Sequence, residues 1–180
     1  MVGPVEAWAQ CGELLPLDDL VAMADALLGR WSRYPAARMR PPDELEAAVS
    51  RRAGCRGVAR LREALELARP KVRSPQETAL RLIVVRAGLP EPELNGDVFD
   101  RAGRWIGMSD LVWRDARFVA EYEGEHHRLD PEQFEKDIRR RERYAEAGWR
   151  MVRVTKSDLG AHRPELVTRL KSALGGAAWV

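Results

Sequence analysis

A chain of 180 residues, 45% hydrophobic and 32% charged, is long enough for one ordinary domain and an appendage, and it buries about two-thirds of its unfolded surface on folding. No apolar run approaches the ~18 residues of a membrane helix, and the opening MVGPVEAWAQ has no basic segment before an apolar core, so neither a membrane span nor a secretion signal is expected. The net charge of +2 is unevenly spread: residues 110–125 hold five acids against two arginines, and residues 131–156 hold eight Lys/Arg against five acids. An acidic pocket beside a basic flank suits a metal-dependent enzyme acting on a polyphosphate, although segregation of this size also arises by chance. Cys11 and Cys55 form neither a metal-ligand spacing nor a disulfide framework, as expected in a reducing cytoplasm.

Residues 1–73 read as helical. Leu20, Val21, Ala24, Leu27 and Leu28 share one face of a helix that ends near Gly29. A second helix begins at Pro41-Pro42-Asp43-Glu44, and a third carries Val58, Leu61, Ala64 and Leu65 before Pro70 stops it. This part predicts a helical bundle or lid without a catalytic constellation. Arg51, Arg52 and Arg56 would touch nucleic acid or, as the plainer alternative, form a solvated surface.

A boundary falls between residues 73 and 74, which separates a helical N-terminal region (1–73) from a second domain (74–180). Ser74-Pro75-Gln76-Glu77 is a strong helix start: Ser74 is the N-cap, Pro75 takes the first helical position, and Glu77 sits three after the cap. A capping role explains Glu77 on its own. The helix ends at Gly88; after Pro90 the period changes, and residues 93–99 and 104–108 read as short strands.

Residues 110–123 then form two apolar runs, Leu111-Val112-Trp113 and Phe118-Val119-Ala120, around a charged tetrapeptide, the pattern of a hairpin. Asp110 opens the first strand, while Glu121 and Glu123 close the second. Residues two apart on a strand point to the same face, so Glu121 and Glu123 project side by side, and the simplest register brings Asp110 near them. Three carboxylates in one place repel unless a cation or protons lie between them, and hard divalent ions such as Mg²⁺ bind through such groups. The alternative is a solvated strand end with scattered acids. His126 and His127 follow the turn at Gly124 and are suited to proton transfer, or are simply solvated.

The last long helix starts at Asp130-Pro131-Glu132-Gln133. Phe134, Ile138 and Ala145 share one predicted face, while Lys136, Arg139, Arg140 and Arg143 gather on the other, as a solvated surface or as phosphate contacts. Arg141 falls inside the apolar stripe, four residues after Asp137, and a partly buried Asp137–Arg141 pair is expected. Residues 149–154 alternate as a strand with Trp149, Met151 and Arg153 on one side, and residues 164–174 make a final helix. The expected fold class is α/β (α+β, mixed sheet), with an α-β-β-β-α-β-α second half.

Residues 74–159 contain SPQE…LR at the helix start, AGLPEPELN before the first strand, SDL on the middle strand and EYEGEHHR at the hairpin end. D-x-x-R-x-x-x-Y (Asp137, Arg140, Tyr144) and GWRMVRVT follow. In this order the motifs resemble the bacterial nuclease-like domains related to very-short-patch repair endonucleases, within the PD-(D/E)XK superfamily. The helical first part is similar to the segment preceding such a domain in larger actinobacterial proteins.

The resemblance implies a restriction-endonuclease-like α-β-β-β-α-β core and a Mg²⁺- or Mn²⁺-dependent DNA endonuclease serving repair or defence. It places the family's helix acid on Glu77, its first metal-binding aspartate on Asp110 and its motif acid on Glu121. The position usually filled by lysine is Glu123, so polarisation of the attacking water passes to metal, to Glu123 or to a histidine. His127 matches the histidine of the family motif and would protonate the leaving oxygen or orient a water. Asp110, Glu121 and Glu123 would hold the metal, and Arg139, Arg140, Arg143 and Lys156 would grip the phosphate backbone. The alternatives are a catalytically silent DNA-binding or regulatory module of a toxin–antitoxin or defence system, and a nuclease directed at RNA.

Overall fold

The computed structural model describes residues 2–124 and 131–175, and of residues 131–134 the backbone alone. The chain divides into two compact units, Met1–Ala79 and Leu80–Val180. The division falls inside a helix, between residues 79 and 80, where the sequence suggested 73 and 74.

The first unit contains α1 (Pro4–Gln10), α2 (Leu17–Leu28), α3 (Pro42–Arg51), α4 (Val58–Leu67) and the start of α5 (Pro75–Arg86). Proline stands at the start of α1 and α3, where its missing N–H is one the helix could not have satisfied internally. The apolar face read for α2 is the buried one: Leu20, Val21, Ala24 and Leu27 join Trp8, Leu45, Ala48, Leu61 and Ala64 in the unit's core. Trp8 donates its indole N–H to the Leu20 carbonyl at 3.0 Å. Gly57 has φ 81°, and a Cβ there would lie 2.2 Å from the Gly12 carbonyl oxygen, so no other residue fits. Asp25 is 1% exposed and accepts the Arg69 backbone N–H (2.6 Å) and the Thr78 hydroxyl (2.7 Å). Arg51 and Arg52 reach Glu6 at 3.4 and 4.0 Å, an ion-paired surface, while Arg56 is exposed. Cys11 and Cys55 are free thiols.

In the second unit, strands β1 (Glu93–Phe99), β2 (Trp105–Trp113), β3 (Phe118–Tyr122) and β4 (Arg150–Val154) form one sheet in the order β1-β2-β3-β4. The first two pairings are antiparallel and β3–β4 is parallel, which requires a crossover; α6 (Pro131–Glu146) supplies it. The short strand read at residues 104–108 and the first hairpin strand are one strand. Ser109 and Asp110 looked like a break, but Ser109 pairs with Gly96 and carries the ladder through. Opposite them Asn95 takes φ 49°, the left-handed region that asparagine tolerates. The hairpin itself closes as expected, with Trp113 opposite Phe118 and their rings 5.3 Å apart. Arg117 ends the turn at φ 45°.

Helix α6 packs against the sheet through Tyr144, with Ala147 just after it, among Val98, Ile106, Val112, Val119, Trp149 and Met151. Its phase differs from the one its apolar residues suggest. Ile138 is 36% exposed and Ala145 is exposed, whereas Asp137, Arg140 and Arg141 are partly covered. After β4 come α7 (Lys156–Leu159) and α8 (Arg163–Leu174), whose Leu166, Leu170 and Leu174 are buried and which packs on β4. The architecture is thus mixed α and β, with elements in the anticipated order. Among the described residues no helix is long and apolar enough to cross a membrane.

Candidate functional site

Strands β2, β3 and β4 and helix α6 enclose a cavity of about 260 Å³. Asp110, Glu121, Glu123 and Asp137 line it together with Arg140, Arg141 and Arg153. Each arrives by simple geometry. Asp110 ends the β2–β3 ladder, and its Oδ2 accepts the Tyr122 backbone N–H at 2.8 Å, which fixes the carboxylate at the sheet. Glu121 and Glu123 alternate on one face of β3 and its extension, where the Glu123 N–H continues the parallel ladder to the Val154 carbonyl at 2.8 Å. Met151 and Arg153 take the same relation on β4 and face the same cavity.

Glu121 is held by Ser109 and Arg140. Its Oε1 accepts the Ser109 hydroxyl at 2.7 Å, and Ser109 lies 2.9 Å from the Tyr144 hydroxyl. A serine hydroxyl has one proton, so if it serves the carboxylate the tyrosine donates to the serine. The same Oε1 takes a charge-assisted hydrogen bond from Arg140, which also donates to the Met108 carbonyl at 2.5 Å and lies over the Tyr144 ring at 5.3 Å. Burial works against the Arg140 charge, but Glu121 and Tyr144 outweigh it and raise its pKa above the ordinary arginine value. Gly107 makes the crossing possible: a Cβ there would come 2.8 Å from Arg140 Nε. Glu123 is ion-paired with Arg153 of the neighbouring strand.

The donor chemistry of Asp110, Glu121 and Glu123 fits a hard divalent cation. In the present arrangement, among the described residues no three His, Cys, Asp or Glu side chains form a metal-holding group, and guanidinium groups balance two of the carboxylates. Glu77 belongs to the first unit, where it is 7% exposed. It accepts the Arg73 N–H at 2.9 Å and the Ser74 hydroxyl at 3.0 Å, and donates its own N–H to Ser74 Oγ, which is the capping arrangement. His127, with His126, lies outside the described residues.

The four cations assigned to phosphate do not share one face. Arg140 is inside the cavity, Arg139 is on the surface 3.6 Å from Glu135, Arg143 donates to the Ile106 carbonyl at 3.0 Å, and Lys156 is exposed at the start of α7.

No family model matches the chain, and no solved structure matches it. Its relatives include the uncharacterized proteins MT2308 and Rv2248, from two strains of Mycobacterium tuberculosis. Each is 31% identical to it over 134 residues, 74% of this chain and 49% of the relative. The chain therefore spans about half the length of the curated relatives it matches.

Sequence reasoning missed Ser109, Arg153 and the inward turn of Arg140. The signal for the last was present: Asp137, Arg140, Arg141 and Tyr144 fall at i, i+3, i+4 and i+7, the spacing of one helix face, but that face is polar.

Proposed function

We propose that the second unit is a Mg²⁺- or Mn²⁺-dependent endonuclease domain that hydrolyses phosphodiester bonds of DNA in the cytoplasm. Its core would be restriction-endonuclease-like and related to the very-short-patch repair nucleases. The observation that carries this reading is the convergence of Asp110, Glu121 and Glu123 on one cavity whose other wall is built from Arg140, Arg141 and Arg153. The order α5-β1-β2-β3-α6-β4 and the single parallel pairing at β3–β4 support it.

Asp110, Glu121 and Glu123 would hold the cation, which when bound neutralises charge developing on the phosphate and acidifies water. The protein's own residues supply the rest. A phosphodiester entering the cavity competes with Glu121 and Glu123 for Arg140 and Arg153, because guanidinium binds phosphate oxygens as well as carboxylate. As the arginines turn to the phosphate, the carboxylates are left to the cation, so substrate and metal are taken up together. Ser109 and Tyr144 keep Glu121 in place during this exchange. Glu123 accepts a proton from the attacking water, and His127, on the strength of the motif, returns one to the leaving oxygen.

Supercoiled plasmid incubated with the protein and Mg²⁺ or Mn²⁺ should be nicked. Asp110→Ala and Glu121→Ala should each lose this by about a hundredfold or more, the range for removing a group that acts on transition-state charge. Nicking that persists in both variants would refute the site.

A second reading, a silent nuclease fold that binds DNA as a regulatory module, is favoured by the Glu121–Arg140 and Glu123–Arg153 pairs, which already neutralise both acids. Calorimetry with Mn²⁺ separates the two: a silent module takes up no ion at these carboxylates with DNA present or absent.

A further inference from the structure

A second concave surface lies at the other end of β2. It is a cavity of about 490 Å³ between the tip of the β1–β2 hairpin and the last turns of α6, within the ~300–1,000 Å³ range of ligand sites. Trp105 lines it and is 58% exposed. The indole is fixed by its edge, since Nε1 donates to Asp97 Oδ1 at 2.8 Å, so the exposed area is ring rather than N–H. Its cross-strand partner Phe99 is 40% exposed.

Arg101, Arg104 and Arg143 line the same cavity, with Asp100 and Glu146 as its acids. Asp100 is committed to the turn: it accepts the backbone N–H groups of Ala102 (2.8 Å) and Arg104 (2.9 Å) and the Arg104 guanidinium (2.7 Å). The tip is tied to its surroundings as well, because Trp149 Nε1 donates to the Phe99 carbonyl at 3.1 Å and Arg143 to that of Ile106 at 3.0 Å. The indole edge and the Asp100 turn are therefore fixed before any ligand arrives, with Arg101, Arg104 and Arg143 lining the same cavity, which lowers the ordering cost of binding.

We infer that Trp105, with Arg101, Arg104 and Arg143, is a subsite for an unpaired nucleobase and its flanking phosphates. A base inside a duplex has both faces covered by its neighbours, so an exposed indole selects a base that has lost at least one of them. Arginine contacts the phosphates on either side without regard to sequence. The inference rests on the DNA reading of the acidic cavity for the identity of the polymer, and it adds the form of DNA taken: one with a single-stranded segment. Asp110 and Trp105 are five residues apart on β2, about 16 Å at ~3.3 Å per residue.

The test is fluorescence anisotropy with the full chain in EDTA and low salt, so that no cleavage occurs, using a fluorescein-labelled single-stranded 20-mer and the corresponding blunt duplex. Trp105→Leu, which keeps apolar bulk but removes the π face, should weaken single-strand binding by about tenfold, and Trp105→Phe by about threefold or less. Duplex binding should change less than twofold in both. Arg101→Ser/Arg104→Ser should weaken single-strand binding and reduce the slope of log affinity against log salt by roughly 0.7 for each phosphate no longer neutralised. Equal single-strand affinity of wild type and Trp105→Leu, with unchanged circular dichroism, would overturn the inference. So would equal losses on single strand and duplex, or polyglutamate competing as well as the oligonucleotide. Should Trp105→Leu not fold, Trp105→Phe and the arginine pair still decide. Because binding is read on the wild-type chain in EDTA, where no cleavage occurs, failure of the nicking experiment and failure of this one are told apart.

Discussion

Asp25 in the helical unit and Glu121 in the sheet unit are both withdrawn from bulk water, and they are held in opposite ways. The hydrogen bonds to Asp25 from the Arg69 backbone and the Thr78 hydroxyl come from within its own unit, and the residue is 1% exposed. Glu121 shares one oxygen between Ser109 and a guanidinium from a different element, and it borders an open cavity. A carboxylate closed off from solvent and bonded to the backbone of its own unit is structural, because nothing from outside can reach it. A carboxylate balanced by a long, rotatable arginine is exchangeable, since the cation can leave for phosphate and a metal can replace it. On the proposed reading this contrast, more than burial, separates the unit given the chemistry from the one that is not.

The largest effect should come from the closed carboxylate. Asp25→Ala strands a backbone N–H and a hydroxyl away from solvent, at about 3 kcal/mol, read as a lower urea midpoint; a loss under ~1 kcal/mol would break the comparison. Glu121→Gln, which keeps shape and hydrogen-bonding capacity, should change stability by only about 1 kcal/mol yet reduce nicking about a hundredfold, about 2.7 kcal/mol in the barrier. Comparable losses of stability in the two variants would erase the distinction. Tyr144→Phe removes one link from the Ser109–Glu121 chain and should cost about 1 kcal/mol, seen in the same urea titration, with a few-fold loss of nicking.

The smallest effect concerns a carboxylate of the second unit held in the manner of the first. Burial disfavours the Asp158 charge, but the Thr155 N–H and hydroxyl, then Arg169, outweigh it and lower its pKa. A lowered value in the folded state contributes stability that is present above the unfolded value near 4 and is lost as pH falls through the folded one. Asp158→Asn should therefore unfold less steeply in acid than wild type below about pH 4, followed by circular dichroism, and match it in slope at neutral pH.

Much of this was legible in the sequence. The α2 stripe, the Ser74–Glu77 cap and the hairpin over Trp113 and Phe118 are local patterns, in which side chains a few residues apart decide the outcome. The convergence of Glu121 and Glu123 followed from strand alternation alone. What escaped was long-range or against type. Arg153 meets Glu123 only because β3 and β4 pair in parallel, which no local period announces. The phase of α6 was misread because apolar residues were assumed to face the sheet, while Ile138 turns to solvent and Arg140 turns in. Fusion of the two short strands into β2 needed Asn95 to accept a left-handed backbone opposite Asp110.

Gly107 finally sets a constraint out of proportion to its size. With nothing on its α-carbon, it leaves a slot through which the Arg140 side chain reaches the floor of the sheet. A methyl group there would force that guanidinium to shift, in a recess where Asp110, Glu121, Glu123 and Asp137 face Arg140, Arg141 and Arg153. The seating of one of its charges thus depends on a residue that brings none of its own.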